Sequence, residues 1–90
     1  NVIEITSIKN GDFIVSPITI SGTMRSMTDI ISVETYINDT LVKKDVIPPA
    51  KQYAFSDSFA NPLEIQNKIT IKALGTTGEI AIKEIIIFKR

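Results

Sequence analysis

The stretch Lys68-Ile69-Thr70-Ile71-Lys72-Ala73 decides the fold, because apolar and polar residues alternate along it without a break. Strict alternation over four to eight residues predicts a β-strand with one buried face, here formed by the two isoleucines and the alanine. Gly75-Thr76-Thr77-Gly78 follows and is typical of a hairpin loop, so the chain should turn back into another strand from Glu79 to Phe88. The two strands expose one apolar face that a second sheet must cover.

The last predicted strand is apolar on both faces, and its pattern allows two interpretations. In the first, the even-numbered residues from Ile80 to Phe88 face the core, which places Glu84 inside with them. In the second, a bulge near Lys83-Glu84 keeps the first two isoleucines of the strand inside and adds Ile85 and Ile87 to them. Either pattern fits a central strand covered on both sides, or a strand that contacts a neighbouring module or a partner.

The rest of the chain adds short extended segments separated by turn signals. Further strands are predicted over Val2 to Ile8, Phe13 to Val15, Ile18 to Thr23, Ile31 to Ile37, Leu41 to Lys44 and Tyr53 to Ser56. Met24 to Asp29 is polar and predicts a loop, with a single helical turn as the alternative, and Pro48-Pro49 predicts an end of regular structure. About seven strands with no convincing helix predict an all-β chain folded as two packed antiparallel sheets.

Composition excludes several classes of function. Ninety residues allow one domain, and 43% hydrophobic with 22% charged residues is typical of a folded one. The chain has no His and no Cys, which argues against zinc or copper sites and excludes a Ser-His or Cys-His nucleophile within it. Ten basic residues balance ten acidic ones, which argues against nucleic acid as the main partner. No apolar run approaches the ~20 residues of a membrane span, so no membrane insertion is expected.

Three segments resemble the strands and turns of bacterial immunoglobulin-like modules. They are Ser16-Pro17-Ile18-Thr19-Ile20-Ser21-Gly22-Thr23, Ile31-Ser32-Val33-Glu34-Thr35-Tyr36-Ile37-Asn38-Asp39 and Asn67-Lys68-Ile69-Thr70-Ile71-Lys72-Ala73 followed by Gly78. Asp39 stands where that family more often has Gly. The chain lacks the Cys pair and the Trp of antibody domains, and the missing Trp also weakens a match to fibronectin type III domains. The resemblance implies an immunoglobulin-like antiparallel β-sandwich of about seven strands.

The resemblance also implies a setting and a role. Residues 1–90 would form a single module of a longer chain, since the sequence starts without Met and stops directly after an apolar run. The module would be extracellular or at the cell surface, non-catalytic and without a cofactor, and would act as a structural or adhesive spacer. Its partners would be neighbouring modules of the same chain, and a polysaccharide or a surface protein as a further ligand. The alternatives are a carbohydrate-binding accessory module of a glycoside hydrolase, or a protein-binding module that acts by edge-strand addition.

Three aromatic residues are the candidates for a binding site, because carbohydrate recognition often uses a flat stacking surface. In the strand from Ile31 to Ile37, the residues Ile31, Val33 and Ile37 are predicted to face the core. Tyr36 is predicted on the opposite face. Tyr53 lies near the two adjacent prolines, and Phe59 is predicted in a loop. For each of the three, packing in or against the core is the alternative.

The acidic residues do not indicate a catalytic or metal site. Asp29, Asp39 and Asp57 could supply the oxygen ligands that Ca²⁺ prefers. However, the chain contains no D-x-D-x-D run, which is the ligand spacing of a common calcium loop. We therefore expect no metal site and no catalytic residues, and we interpret these carboxylates as solvated side chains.

Overall fold

A computed structural model describes residues 2–90, and no helix occurs among them. Six strands make up the chain. They are β1 (Val2–Ile5), β2 (Phe13–Ile14), β3 (Ile18–Ile37), β4 (Thr40–Phe59), β5 (Gln66–Gly75) and β6 (Ile80–Lys89). The isoleucines favour this outcome, since a β-branched side chain is restricted in helices and packs well on a pleated surface.

The strands form two layers because β3 and β4 each contribute to both. Residues 18–25 of β3 pair with residues 52–59 of β4, and residues 22–25 also pair with β1 on the other side, which makes the first layer. Residues 30–37 of β3 pair with the first half of β4 and with β5, and β5 pairs with β6, which makes the second layer. The predicted all-β sandwich is confirmed. The pairing is antiparallel throughout except between β2 and β6, which run parallel.

The predicted loop at Met24 to Asp29 is wrong, because β3 stays extended through it. The pairing of β3 with β4 is interrupted between Arg25 and Ile30, where the strand bends from the first layer into the second. Such irregularities let one strand turn a corner between packed sheets without becoming a loop. The polar residues at the bend are therefore exposed or half-buried strand residues. The strand count falls to six because separate strands merge.

The predicted break at Pro48-Pro49 is also wrong, since both prolines lie within β4. Pairing with β3 jumps there from Val46, opposite Ser32, to Ala50, opposite Ile30. Proline cannot donate a ladder hydrogen bond, so it is tolerated at an irregular edge position of this kind.

The bend also changes which residues of β3 face the core. Ile31, predicted inward, is only half-buried, whereas Ile30 is buried. The irregularity between Ile30 and Ser32 shifts the alternation by one residue, after which Val33 and Ile37 are buried as predicted.

Neither interpretation of the last strand is correct. β6 pairs with β5 in one unbroken register from Ile80 to Phe88, so it has no bulge near Lys83. The odd-numbered Ile85 and Ile87 are buried, whereas the even-numbered residues face outward and Glu84 is exposed. Because β6 is apolar on both faces, the isoleucines on its outer face lie on the surface of the protein.

The core lies between the two layers. Ile69 and Ile71 are 0% exposed and Ala73 is 5% exposed, which confirms the inward face of the deciding stretch. The other buried apolar side chains are Ile3, Ile8, Ile18, Ile20, Met24, Ile30, Val33, Ile37, Ile47, Phe55, Phe59, Leu63, Ile85 and Ile87. Each aliphatic side chain of this size stabilises the fold by roughly 1.5–3 kcal/mol when fully buried.

The described chain begins and ends at opposite ends of the sandwich, which measures 39 × 19 × 18 Å. We call the end where β3 bends the bend end, and the opposite one the hairpin end. Val2 pairs with Arg25 at the bend end. β6 starts beside Leu74, near the bend, and Arg90 at the hairpin end donates a backbone hydrogen bond to Ile14.

Candidate functional site

Phe59 is wrong as a candidate binding residue. It is the last residue of β4, pairs with Ile18 and is only 8% exposed. Its ring belongs to the core because the odd-numbered residues of this half of β4 face the first layer's inner side, as Phe55 also does. A ligand could not stack on it without opening the sandwich.

Tyr53 lies at the edge of the sandwich and packs against the core. It is half-buried and pairs with the buried Met24. Burial raises the pKa of its hydroxyl, and the nearby carboxylates of Asp45 and Asp57 raise it further. Lys43 bridges these carboxylates, as it contacts Asp57 and lies 3.8 Å from Asp45. This group of charges joins the two halves of β4 beside Tyr53, which lines a shallow open depression with Thr23 and Gln52. A binding role for Tyr53 stays a prediction.

Tyr36 is on the outer face of the second layer, as predicted. Its hydroxyl donates a 2.6 Å hydrogen bond to Glu34, and this bond is the main reason that the pKa of Tyr36 is raised. Pairing of the strands sets Tyr36 beside Thr70, and Thr70 beside Glu84. These residues line a shallow open depression together with Asp39, Lys72 and Ile82.

We expect both tyrosines, the only two in the chain, to ionise above the usual pKa of about 10. Absorbance at 295 nm during an alkaline titration measures this directly, because the chain has no Trp. A raised pKa in the folded state contributes stability that is present below pH 10 and is lost as the pH rises through the folded value. The melting temperature should therefore fall above pH 10, and less so in Tyr53→Phe. A phenolate signal that develops fully below pH 10 would contradict the raised values.

The candidate calcium ligands do not come together. Asp39 is paired with Lys68 at 2.7 Å and Asp57 with Lys43, on different edges of the sandwich. No cluster of three or more acidic side chains suited to a metal ion occurs within residues 2–90. The small cavity below the bend, lined in part by Ile3, Met24 and Ile30, measures about 10 Å³, the size of a single water.

An exposed apolar surface lies at the hairpin end, beside the end of the last strand, for which contact with a neighbouring module or a partner was one of the two interpretations. Phe13 is 64% exposed and its ring lies 5.4 Å from that of Phe88. Val15 and Ile65 are also exposed, and they flank the last residues of β6, whose Lys89 donates a hydrogen bond to Ile65. We call Phe13, Val15, Ile65 and Phe88 the end patch. The apolar outer face of the last strand was the available signal for it.

Comparison with known proteins supports the fold. No protein-family model matches the chain, and no curated protein matches it. The chain is similar to the solved fibronectin(III)-like modules of Clostridium thermocellum CbhA, with a TM-score of 0.63 at 14% identity over 99% of this chain and 96% of that one. The chain is thus an immunoglobulin-like β-sandwich. The match to a fibronectin(III)-like structure occurs although the chain lacks Trp, because the layers of aliphatic side chains fill the core instead.

A ligand could bind in the depression around Tyr36 or on the end patch, and further open depressions lie beside Arg25 and Tyr53. The depression around Tyr36 is polar at its rim and suits a hydroxyl-rich ligand, whereas the end patch is apolar and suits a protein surface. None of the described residues, 2–90, lies in a helix long and apolar enough to cross a bilayer.

Proposed function

We propose that the chain is a bacterial immunoglobulin-like module that acts as a non-catalytic structural spacer in a larger cell-surface or secreted protein. The observation that carries this proposal is the placement of Val2 and Arg90 at opposite ends of an elongated sandwich 39 Å long. A module with this geometry adds its full length to a row of modules. The similarity to modules of a multidomain protein supports the same role.

The end patch supports the proposal because it surrounds the point where the chain leaves the sandwich. A following module placed there would cover Phe13 and Ile65, which are 64% and 83% exposed. Burying such side chains against a neighbour restricts the angle between two modules, since apolar contact is lost when the joint bends. The spacer would then be a semi-rigid rod.

A protein of two copies joined in one chain tests this proposal by small-angle X-ray scattering. Two lengths of 39 Å placed end to end give a maximum dimension of about 78 Å. Replacing both Phe13 and Ile65 by serine should broaden the distance distribution, whereas Val46→Ser, at a position 81% exposed on an edge strand, should not. A compact pair with a maximum dimension near that of one module would contradict the spacer role.

The second candidate function is that of a carbohydrate-binding accessory module of a glycoside hydrolase. The observation that favours it is the open depression in which Tyr36 lies beside Thr70, Lys72 and Glu84. Affinity-gel retardation with soluble β-glucans and binding to insoluble cellulose test it directly. Retention that is lost in Tyr36→Ala, while the melting curve stays cooperative, would favour this function over the spacer.

A further inference from the structure

The outer edge of β6 is open over half of its length. Backbone groups of the even-numbered residues point to this edge, as the hydrogen bonds from Gly11 to the Ile86 carbonyl and from the Phe88 amide to Asp12 show. The side chain of Asn10 also accepts a hydrogen bond from the Ile86 amide. Among residues 2–90, nothing pairs in this way with the edge at Ile80, Ile82 and Glu84. Three donors and three acceptors are therefore available to another strand.

This edge has less protection than the β4 edge, because its open part carries one lysine, Lys83, and no proline. β4 carries Pro48-Pro49 and the adjacent Lys43 and Lys44, and prolines and lysines on an edge discourage pairing with another chain. The open part of β6 instead exposes Ile80 at 51% and Ile82 at 59%. Exposed apolar residues on an unpaired strand are the usual features of an edge that accepts a further strand.

We propose that the open edge of β6 pairs antiparallel with the same edge of a second copy of this chain. In the register we assign, Ile80 of one copy lies opposite Ile82 of the other, and Ala81 lies opposite Ala81 on the two-fold axis. Ile80 and Ile82 both direct their backbone groups outward, so each of these pairs exchanges two hydrogen bonds. The second layers of the two copies then form one continuous sheet.

A second copy fits this edge because the sequence of the edge is complementary to itself in this register. Both pairs of outward side chains are isoleucine against isoleucine, and apolar β-branched pairs stabilise neighbouring strands. A shift of the register by one pair would set Glu84 against Ile80 and Lys83 against Ala81, and would leave only Ile82 opposite Ile82 as an isoleucine pair. The register also places Lys83 opposite Glu79 of the other copy.

The length of the open edge limits the strength of the dimer. Pairing can extend only from the turn at Gly78 to the point where Asn10 covers Ile86. An interface of this size is below the ~1,200 Å² typical of stable complexes, so a dissociation constant on the order of 10⁻⁴ M is expected. The dimer should form at high protein concentration, or where copies are held close together.

Sedimentation velocity from 0.02 to 1 mM on the single chain tests the dimer. The wild-type chain should shift towards the dimer as the concentration rises, and amide exchange at Ile80 and Ile82 should slow at least about threefold over that range. Ile82→Lys should remain monomeric, because it places two lysines against the opposite isoleucines. Val46→Lys, an equal change on the β4 edge, should dimerise like the wild type. A chain that stays monomeric at 1 mM, or equal behaviour of the two variants, would overturn the proposal.

The register can be tested by disulfide formation. The chain has no cysteine, so an introduced cysteine is its only thiol. Ala81→Cys should form a disulfide-linked dimer at least about tenfold faster than Ala50→Cys, which is also half-buried but lies on the β4 edge. The side chains of a symmetric non-hydrogen-bonded pair lie within the range of a disulfide. Equal rates in the two variants would exclude this register. Both tests use one module alone, so their failure would leave the spacer role unaffected.

Discussion

Replacement of Gly22 by alanine is expected to lower the free energy of unfolding by about 3–5 kcal/mol, which corresponds to a melting temperature lower by on the order of 20 °C. Gly22 lies in β3 between β1 and β4, where it pairs with Ile5 and Phe55. A Cβ atom at this position would overlap the carbonyl oxygen of Glu4 and approach the ring of Phe55 to 2.7 Å. The backbone of β1 would have to move to admit one methyl group, since a packed interior has no room for it.

Gly78→Ala is the matched control for this variant. Gly78 has a φ of 87°, but a Cβ atom there would meet nothing within 4 Å. Only the conformational preference is lost, at a cost of about 1–2 kcal/mol. Urea or thermal unfolding followed by circular dichroism measures both changes. If the two variants lost the same stability, close contact between strands would not be the reason for glycine at residue 22.

Asn67→Leu should lower the free energy of unfolding by about 2–4 kcal/mol, although the two side chains are similar in size. Asn67 is 0% exposed, and its side chain accepts a 2.8 Å hydrogen bond from the Glu64 amide and donates one of 2.8 Å to the Glu64 carbonyl. It also accepts a 3.0 Å hydrogen bond from Asn38. Leucine would leave these partners unsatisfied, so the link between the β3–β4 hairpin and the segment before β5 would be lost.

The control for this effect is Asn61→Leu, an exposed asparagine in the same connection, which should change stability by no more than about 0.5 kcal/mol. Amide exchange gives a second measurement, because the Glu64 amide should lose protection in the Asn67 variant alone. Unchanged exchange at Glu64 together with unchanged stability would show that the three hydrogen bonds do not hold this segment.

Most of the fold could be predicted from local pattern. The inward faces of the strands that contain Ile69 and Val33 are confirmed, as is the turn at Asn38-Asp39, where both residues have positive φ. The failures occur at the bend and at the two adjacent prolines of β4. There, pairing with a distant strand keeps the chain extended, and no local sequence signal reports such pairing.

The candidate site was less predictable. Alternation placed Tyr36 correctly on the outer face, but it could not show that Phe59 closes the core or that Phe13 lies on Phe88. Those positions depend on which strands become neighbours. A binding role for Tyr36 stays a prediction, and its depression is formed by residues from three strands that are distant in the sequence.

The order of residues along the chain was sufficient to predict an all-β sandwich, because alternating isoleucines can be buried only by stacking one pleated face on another. The side of β6 that faces the core, the need for glycine at residue 22 and the open edge at Ile82 could not be predicted in this way. Each of these features depends on contacts between strands far apart in sequence. For β6 there is a further reason: the strand is apolar on both faces, so hydrophobicity alone could not show which face is buried.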